Sequence, residues 1–391
     1  MEKLPGDVLS NIFIRLLAKQ LAQMRLVCKT WNALLSESSF IKSHLHHSIH
    51  NNKKNKDDEI LLFFEKAIID YFSSTCPLTA RSCGSPRLEV SNFMKLELPI
   101  DPQHEKKKPM INVFGSVNGL ICFSYLKNHG YFIRIWNPSL SASLTLPRSS
   151  LSDQTHHPYV WFGFDPKTDD YKVVKVSSSF FFLKPADRET QPHPQVEVYS
   201  MRKGSWESAS QRIPSHIKMF FYRDDVCVDG RIHWLCVTDL EGNPRTIVTF
   251  DLGAMTLGDE IPLPDSVIDC GRWCMSDLGV LGGKLCVMSR CVKHYECNVW
   301  VRDDHTDSWV KHHLFSQFNA RITPYGFTSH NEFLFQLDHS PRFALYDPVA
   351  AKTKTFKIKT MTRPLDRLKI FNYVDSLAWI PPAATQLSSV S

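Results

Sequence analysis

No stretch of this chain approaches the ~18 consecutive apolar residues that span a bilayer. Its start, "MEKLPGDV", lacks the basic-then-apolar order of a secretory signal. Both absences point to a soluble, unsecreted protein with no membrane partner. The eleven Cys are scattered without a C-x-x-C pair, which argues against a disulfide or zinc scaffold. No N-x-[ST] acceptor survives, because "NPS" at Asn137 carries the forbidden Pro. A reducing cytoplasm and/or nucleus is the compartment expected. Charge of one sign is scarce as well: the net +6 is modest for 391 residues, and no basic stripe marks nucleic acid as a partner.

Catalytic signatures are missing too. The chain has no G-x-S-x-G elbow, Walker loop, G-x-G-x-x-G or H-E-x-x-H. The nearest approach to a metal site, Cys286, Cys291, His294 and Cys297, reads as strand and loop residues, with Cys acting as a small apolar side chain. Asp169-Asp170, Asp224-Asp225 and Asp303-Asp304 read as turn residues that satisfy nearby backbone N–H groups. His44, His46, His47 and His50 read as a solvated helix end, although His46 and His50 have the i, i+4 spacing of a metal-binding face. No catalytic residue, cofactor or metal is therefore expected.

What is present falls into two parts. In "LPGDVLSNIFIRLL", Pro5 suits a first helical turn and Asp7 suits the positive end of a helix dipole. Val8, Leu9, Ile12, Phe13 and Leu16 recur at helical spacing, as do Leu21, Met24, Cys28, Trp31 and Leu35 after a break near "LLAKQ". A short third turn is predicted from Ser38, with Phe40, Ile41 and Leu45. A segment this small does not bury enough surface to fold alone, so it must dock on its own chain or on another protein. "HHSIHNNKKNKDDE" then reads as a polar linker.

From residue 60 onward the pattern is all-β: short runs of Val, Ile, Phe, Tyr and Trp between Gly, Pro, Asn and Asp turns. The runs repeat. "RIWNPS", "EVYSMR", "VTFDLG", "NVWVRD" and "FALYDP" each end a strand on an aromatic, at Trp136, Tyr199, Phe250, Trp300 and Tyr346, in steps of 63, 51, 50 and 46 residues. Hairpin signals precede most of them, at Asn118-Gly119, Asp229-Gly230 and Gly282-Gly283. The unit is four antiparallel strands, and the Pro-rich 183–194 stretch is an insertion in the second unit. At the ends, "NYVDSLAWI" (372–380) reads as an innermost strand for "EILLFFE", "RLEVSNF" and "KLELPI", closing a ring of about six four-stranded blades. A sandwich or open stack is the alternative.

The order "LP…D.L…I..RL….L….R.VCK.W..L…..F" over residues 4–45 resembles the F-box, a helical module that inserts into the Skp adaptor of Skp–cullin–F-box ubiquitin ligases. "VNGLICF…WNPS…LP", "FGFDPKTDDYKVVKV" and "EVYSMRKGSW" follow the order of plant F-box proteins with an F-box-associated, kelch-like domain. The resemblance implies an F-box module (1–45), a linker (46–58), an F-box-associated propeller (59–380) and a disordered tail (381–391). It also implies a non-catalytic specificity subunit that binds the adaptor, and through it cullin, while the propeller binds a target protein for ubiquitination. Leu4, Pro5, Leu9, Ile12, Leu16, Leu21, Val27 and Trp31 are the adaptor-binding candidates, partly core and partly adaptor-facing. Leu17 stands where many plant F-boxes have Pro, a departure that permits a longer first helix and an altered adaptor surface. Two alternatives stay open: a propeller enzyme or lectin with a ligand in the central channel, and an F-box protein acting outside a ligase.

Propeller geometry places the tight first hairpins and the third-to-fourth-strand turns on one side and the long connections on the other. Long loops on a rigid scaffold usually carry binding. Residues 66–87, 148–158, 183–194, 213–224 and 265–273 are those segments. Aromatic and Arg side chains dominate binding hot spots, so Tyr159, Tyr222, Arg223, Arg272, Trp273, Tyr295 and Arg363 are the target-binding candidates.

Overall fold

Apolar runs joined by two-residue turns pair tightly when the turn residues accept a left-handed backbone. The computed structural model describes residues 5–55, 59–65, 78–82, 94–96, 98–99, 111–127, 130–151, 159–176, 193–238, 244–269, 274–291, 295–316, 320–337, 342–357 and 368–378. In it the three predicted hairpins have positive φ at both turn residues: 50° and 84° at Asn118-Gly119, 46° and 74° at Asp229-Gly230, 60° and 83° at Gly282-Gly283. The third-to-fourth-strand turns repeat in the same way, with one left-handed residue each at Ser141, Gly204, Met255, Asp307 and Ala351. In four of these turns an Asn or Asp side chain at the head accepts a backbone N–H further on: Asn137 from Leu140, Asp251 from Ala254, Asp303 from His305, and Asp347 from Val349 and Ala350. This is the polar turn that follows each recurring aromatic.

Six sheets follow one another along the chain. The first holds β1 (Ile60–Glu65), β2 (Leu78–Ser82) and β3 (Met94–Leu96). The second is β4 (Ile111–Val117), β5 (Leu120–Lys127), β6 (Gly130–Asn137) and β7 (Ala142–Thr145). The third is β8 (Tyr159–Asp165), β9 (Asp170–Val176), β10 (Gln195–Ser200) and β11 (Ser205–Arg212). The fourth has β12 (Met219–Val228), β13 (Arg231–Val237), β14 (Pro244–Asp251) and two short pieces, β15 (Thr256–Leu257) and β16 (Ile261–Pro262), both paired with β14. That sheet departs from the expected four strands. The fifth is β17 (Cys274–Leu281), β18 (Lys284–Cys291), β19 (Glu296–Asp303) and β20 (Ser308–Phe315). The sixth is β21 (Ile322–Phe327), β22 (Phe333–Leu337), β23 (Arg342–Asp347) and β24 (Lys352–Lys357). The last strand, β25 (Leu368–Tyr373), returns to the first sheet and pairs antiparallel with β1, Ile60 opposite Tyr373 and Glu65 opposite Leu368.

Alternation within strands builds the ring, because successive side chains point to opposite faces. In β1, Leu62 and Phe64 join a core with β5, while Leu61 and Phe63 join one with the sixth sheet. Buried layers likewise fill the spaces between the second and third, third and fourth, fourth and fifth, and fifth and sixth sheets. Every sheet is thus packed on both faces, and the fold is a β-propeller closed by its own two ends. One strand expectation for the first sheet is corrected: the strand expected over 372–380 runs instead from Leu368 to Tyr373. The expected strand "RLEVSNF" lies outside the described residues, and the strand paired with β1 on its other side is Leu78–Ser82.

Ahead of the ring stand α1 (Gly6–Phe13), α2 (Ala18–Met24), α3 (Lys29–Ser36) and α4 (Ser38–Lys54). Phe13, Ala18, Leu21, Leu35 and Phe40 form their core, and Phe13 meets Trp31 edge-on at 5.0 Å. The predicted short turn at Ser38 is a 17-residue helix, so most of the expected linker is helical. Leu17 does not lengthen the first helix, which ends at Phe13. Its backbone, φ −65° and ψ 145°, is the one a Pro would take, and its N–H donates to Gln20 Oε1 at 3.1 Å. The tail at 381–391 and most of the 183–194 insertion lie outside the described residues.

Candidate functional site

The helical module is bound to its own propeller on one side. Leu377, just beyond β25, is fully buried in the helical core, and Leu140 from the β6–β7 turn packs against it. Ala18 N–H, at the start of α2, donates to Asp375 Oδ2 at 2.5 Å. Asn52 on α4 donates to the Tyr373 carbonyl at 3.5 Å, and Lys42 reaches Asp169 in the β8–β9 turn at 2.8 Å. Leu140 lies in a third-to-fourth-strand turn and Asp169 in a first-to-second-strand turn, while Tyr373, Asp375 and Leu377 lie at and beyond the end of β25, which is at that same side of the ring. The module therefore sits on the tight-turn side, where β1 begins and β25 ends.

Away from the propeller the module carries five large apolar side chains in solvent. Val8 is 42% exposed, Ile12 47%, Leu17 61%, Leu26 87% and Val27 64%, half of the ten large exposed apolar side chains among the described residues. Val8 and Ile12 share a face of α1 at i, i+4 spacing. Leu26 and Val27 occupy the turn from α2 to α3. Ile12 and Val27 are among the adaptor-binding candidates, Leu17 is the departure expected to alter that surface, and Val8 and Leu26 are outside the candidate set. Leu26 is a missed residue with a readable signal, a second apolar residue beside Val27 in an interhelical turn. Among the other candidates, Pro5 is exposed, while Leu9, Leu16 and Trp31 are partly buried against the helical core. Leu4 lies outside the described residues. Leu21 belongs to the core part of the candidate set: it is fully buried in one cluster with Phe13, Leu35 and Leu377.

The candidates for the opposite side fare unevenly. Tyr159 is corrected from a loop contact to a core residue, 2% exposed and stacked on Trp161 at 5.9 Å. Tyr222 and Arg223 lie within β12, not in a loop. There the ladder jumps from Phe220–Cys236 to Asp225–Trp234, so four residues of β12 oppose only Leu235. This is a wide bulge in an inner strand, a device that re-aims the chain. Arg272, Trp273 and Arg363 lie outside the described residues. Tyr295 stands half exposed at φ 55° just before β19. Met275, at the start of β17, is equally exposed at the same end of the fifth sheet and was missed.

Groups that suggest chemistry are otherwise engaged. Burial pushes the Cys122, Cys286 and Cys297 thiols far above the usual range, which leaves them protonated and unreactive. Among the described residues no group of three or more His, Cys, Asp or Glu side chains is placed to hold a metal. His44 is buried in the helical core, where its Nε2–H donates to the Leu16 carbonyl at 2.9 Å. Asp170 accepts from Ser200 Oγ at 2.5 Å and from Arg202 N–H at 2.9 Å. Asp224 and Asp225 are corrected from turn to strand. Burial pushes the Asp225 carboxyl up to about 6, against the pull of Lys369 on the inner strand of the sheet across the ring. Within "FDPKTDDYKVVKV", buried Lys172 bonds Asp165 at 3.4 Å and the Leu252 carbonyl at 2.6 Å, riveting the third sheet to the fourth. Lys175 reaches back to Ser149 and the Leu151 carbonyl at 2.5 and 2.9 Å. This motif is scaffold.

No helix among the described residues is long and apolar enough to cross a membrane. Comparison with known proteins agrees with the two-part fold. Residues 62–377 match the F-box associated beta propeller domain, and residues 1–46 match the F-box-like family. The F-box protein CPR1 of Arabidopsis thaliana is 28% identical, over 80% of this chain and 72% of its own length. The F-box/kelch-repeat protein At3g23880 of the same plant is 24% identical, over 79% and 78%. TolB from Acinetobacter baumannii, a solved structure, is 8% identical with a TM-score of 0.49, covering 86% of this chain and 73% of that one. With well over half of its length inside the propeller-domain match and its helices inside the other, the chain is a plant F-box protein of the F-box-associated β-propeller family.

Proposed function

We propose that this protein is the target-recognition subunit of a Skp–cullin–F-box ubiquitin ligase. Its helical module docks on the adaptor, and its propeller holds a target protein for ubiquitination by other subunits. The observation that carries this reading is the two-sidedness of the module. One side is closed by Leu377, Leu140 and Asp375 of its own chain, yet Val8, Ile12, Leu17, Leu26 and Val27 still face solvent. Apolar side chains left uncovered among the described residues are suited to a partner. The target is taken on the side away from the module, around Tyr295 and Met275, which the tight turns and helices leave free. The buried thiols and the structural roles of Lys172, Asp165 and Asp170 favour a binding platform over an enzyme.

The test is binding of purified Skp-type adaptor to the full chain carrying Ile12→Asp and Leu26→Asp. Both side chains are exposed, so the free protein folds and keeps its melting temperature. Burying two unpaired carboxylates in the complex costs several kcal/mol, on the order of a hundredfold or more in affinity. Adaptor capture by the double variant at wild-type strength would remove the module from this role.

A further inference from the structure

The segment after β25 and the "WNPS" turn make up a device that neither the family match nor the proposed function accounts for. Beyond Tyr373 the chain runs across the tight-turn side with successive residues directed to different bodies. Leu377 is fully buried in the helical core, whereas its neighbour Ala378 is buried in the core between the second and third sheets. Asp375 accepts Ala18 N–H at the start of α2. Leu17 at the N-cap position has no side-chain acceptor to offer this helix start, and Gln20 accepts only the Leu17 N–H. Asp375 therefore supplies the cap from 357 residues away.

The "WNPS" turn is the socket for this strap. Asn137, fully buried, donates from Nδ2 to the Ser376 and Ala378 carbonyls at 3.0 and 3.2 Å. Ser139 Oγ donates to Asp375 Oδ1 and lies 2.9 Å from the Tyr373 hydroxyl. With the one Ser139 proton committed to the carboxylate, Tyr373 is the donor to Ser139. Burial pushes the Tyr373 hydroxyl up to about 12, so it keeps that proton. Leu140 of the same turn packs on the helical core. Gly119 leaves room for the strap: a Cβ there would lie 2.4 Å from Ser376 Cβ and 2.5 Å from the Val374 carbonyl oxygen.

We propose that residues 374–378, seated in the Asn137–Leu140 turn, are an orientation lock that joins the helical module and the propeller into one rigid body. Asp375 and Leu377 are its positioning residues. Resting on the function proposed above, the lock fixes the angle between the adaptor-docking surface and the target-holding side. It also gives the "WNPS" motif a specific role: Asn137 and Ser139 are there to hold the strap.

The test uses methyl-labelled full-length chain without adaptor, aligned weakly for residual dipolar couplings. In the wild type one alignment tensor fits methyl groups of both α1–α4 and the propeller. Asp375→Ala and Leu377→Ala each require two tensors, the helical one reduced at least twofold in magnitude, while the propeller methyl shifts stay in place. Asp375→Asn, whose side-chain oxygen still accepts from Ala18 N–H, restores the single tensor. A single tensor in both Ala variants would overturn the lock. Adaptor binding by the wild type is scored separately, so its absence would count against the proposed function and leave the lock to stand or fall on the couplings.

Discussion

Gly119 and Gly283 occupy the same place in two hairpins, with φ of 84° and 83°. A side chain is strained in that backbone, at about 1–2 kcal/mol for Ala. Their surroundings differ. Nothing lies within 4 Å of a Cβ at Gly283, whereas one at Gly119 would strike the strap. Gly283→Ala is therefore expected to cost about 1–2 kcal/mol, and Gly119→Ala at least about 2 kcal/mol more. Denaturant unfolding of the two variants side by side measures the difference, and equal losses would show that the strap is not held against that turn. Both turns were legible as hairpins, because Asn-Gly and Gly-Gly report the local backbone. That Gly119 is also needed by a segment some 250 residues away was not, since no local pattern encodes a distant approach. Leu21 teaches the same lesson. Its helical spacing announced burial somewhere, but that Leu377 covers it depends on the ring having closed.

Among elements, those defined by short-range chemistry were read well and those defined by context were not. The recurring aromatics Trp136, Tyr199, Phe250, Trp300 and Tyr346 all fall on third strands, opposite second-strand residues such as Ile121, Val173 and Ile232. The helix α4 was missed beyond Leu45 because "HHSIHNNKK" offers few apolar residues to show a period; it is held by His44, Phe40 and Asn52 instead. The bulge in β12 was read as loop, since extra residues interrupt the two-residue alternation. The carboxy-terminal elements lend themselves to a graded truncation. Removing 381–391 is expected to leave stability unchanged. Removing 374–391 takes away the strap, so the helical module becomes sensitive to protease while the propeller persists. Removing 368–391 also deletes β25, opens the ring, and lowers the melting temperature by more than ~10 °C, because Leu368 and Tyr373 leave the cores on both sides of the first sheet. Equal melting temperatures for the first and last truncations would argue against closure through the termini.

For the whole molecule, chain topology decides which side is free. Because β1 and β25 begin and end on the tight-turn side, the helices that precede β1 are delivered there, and the strap that follows β25 meets them. The module is then closed on one side by its own chain and open on the other, with the target side of the propeller facing away. Amide hydrogen exchange of the full chain, with and without purified adaptor, tests this arrangement most directly. New protection is expected in α1 and in the α2–α3 turn around Leu26 and Val27, with no change in the strap or at Met275 and Tyr295. No protection at residues 8–27, or protection centred on the strap or on the fifth sheet, would contradict it.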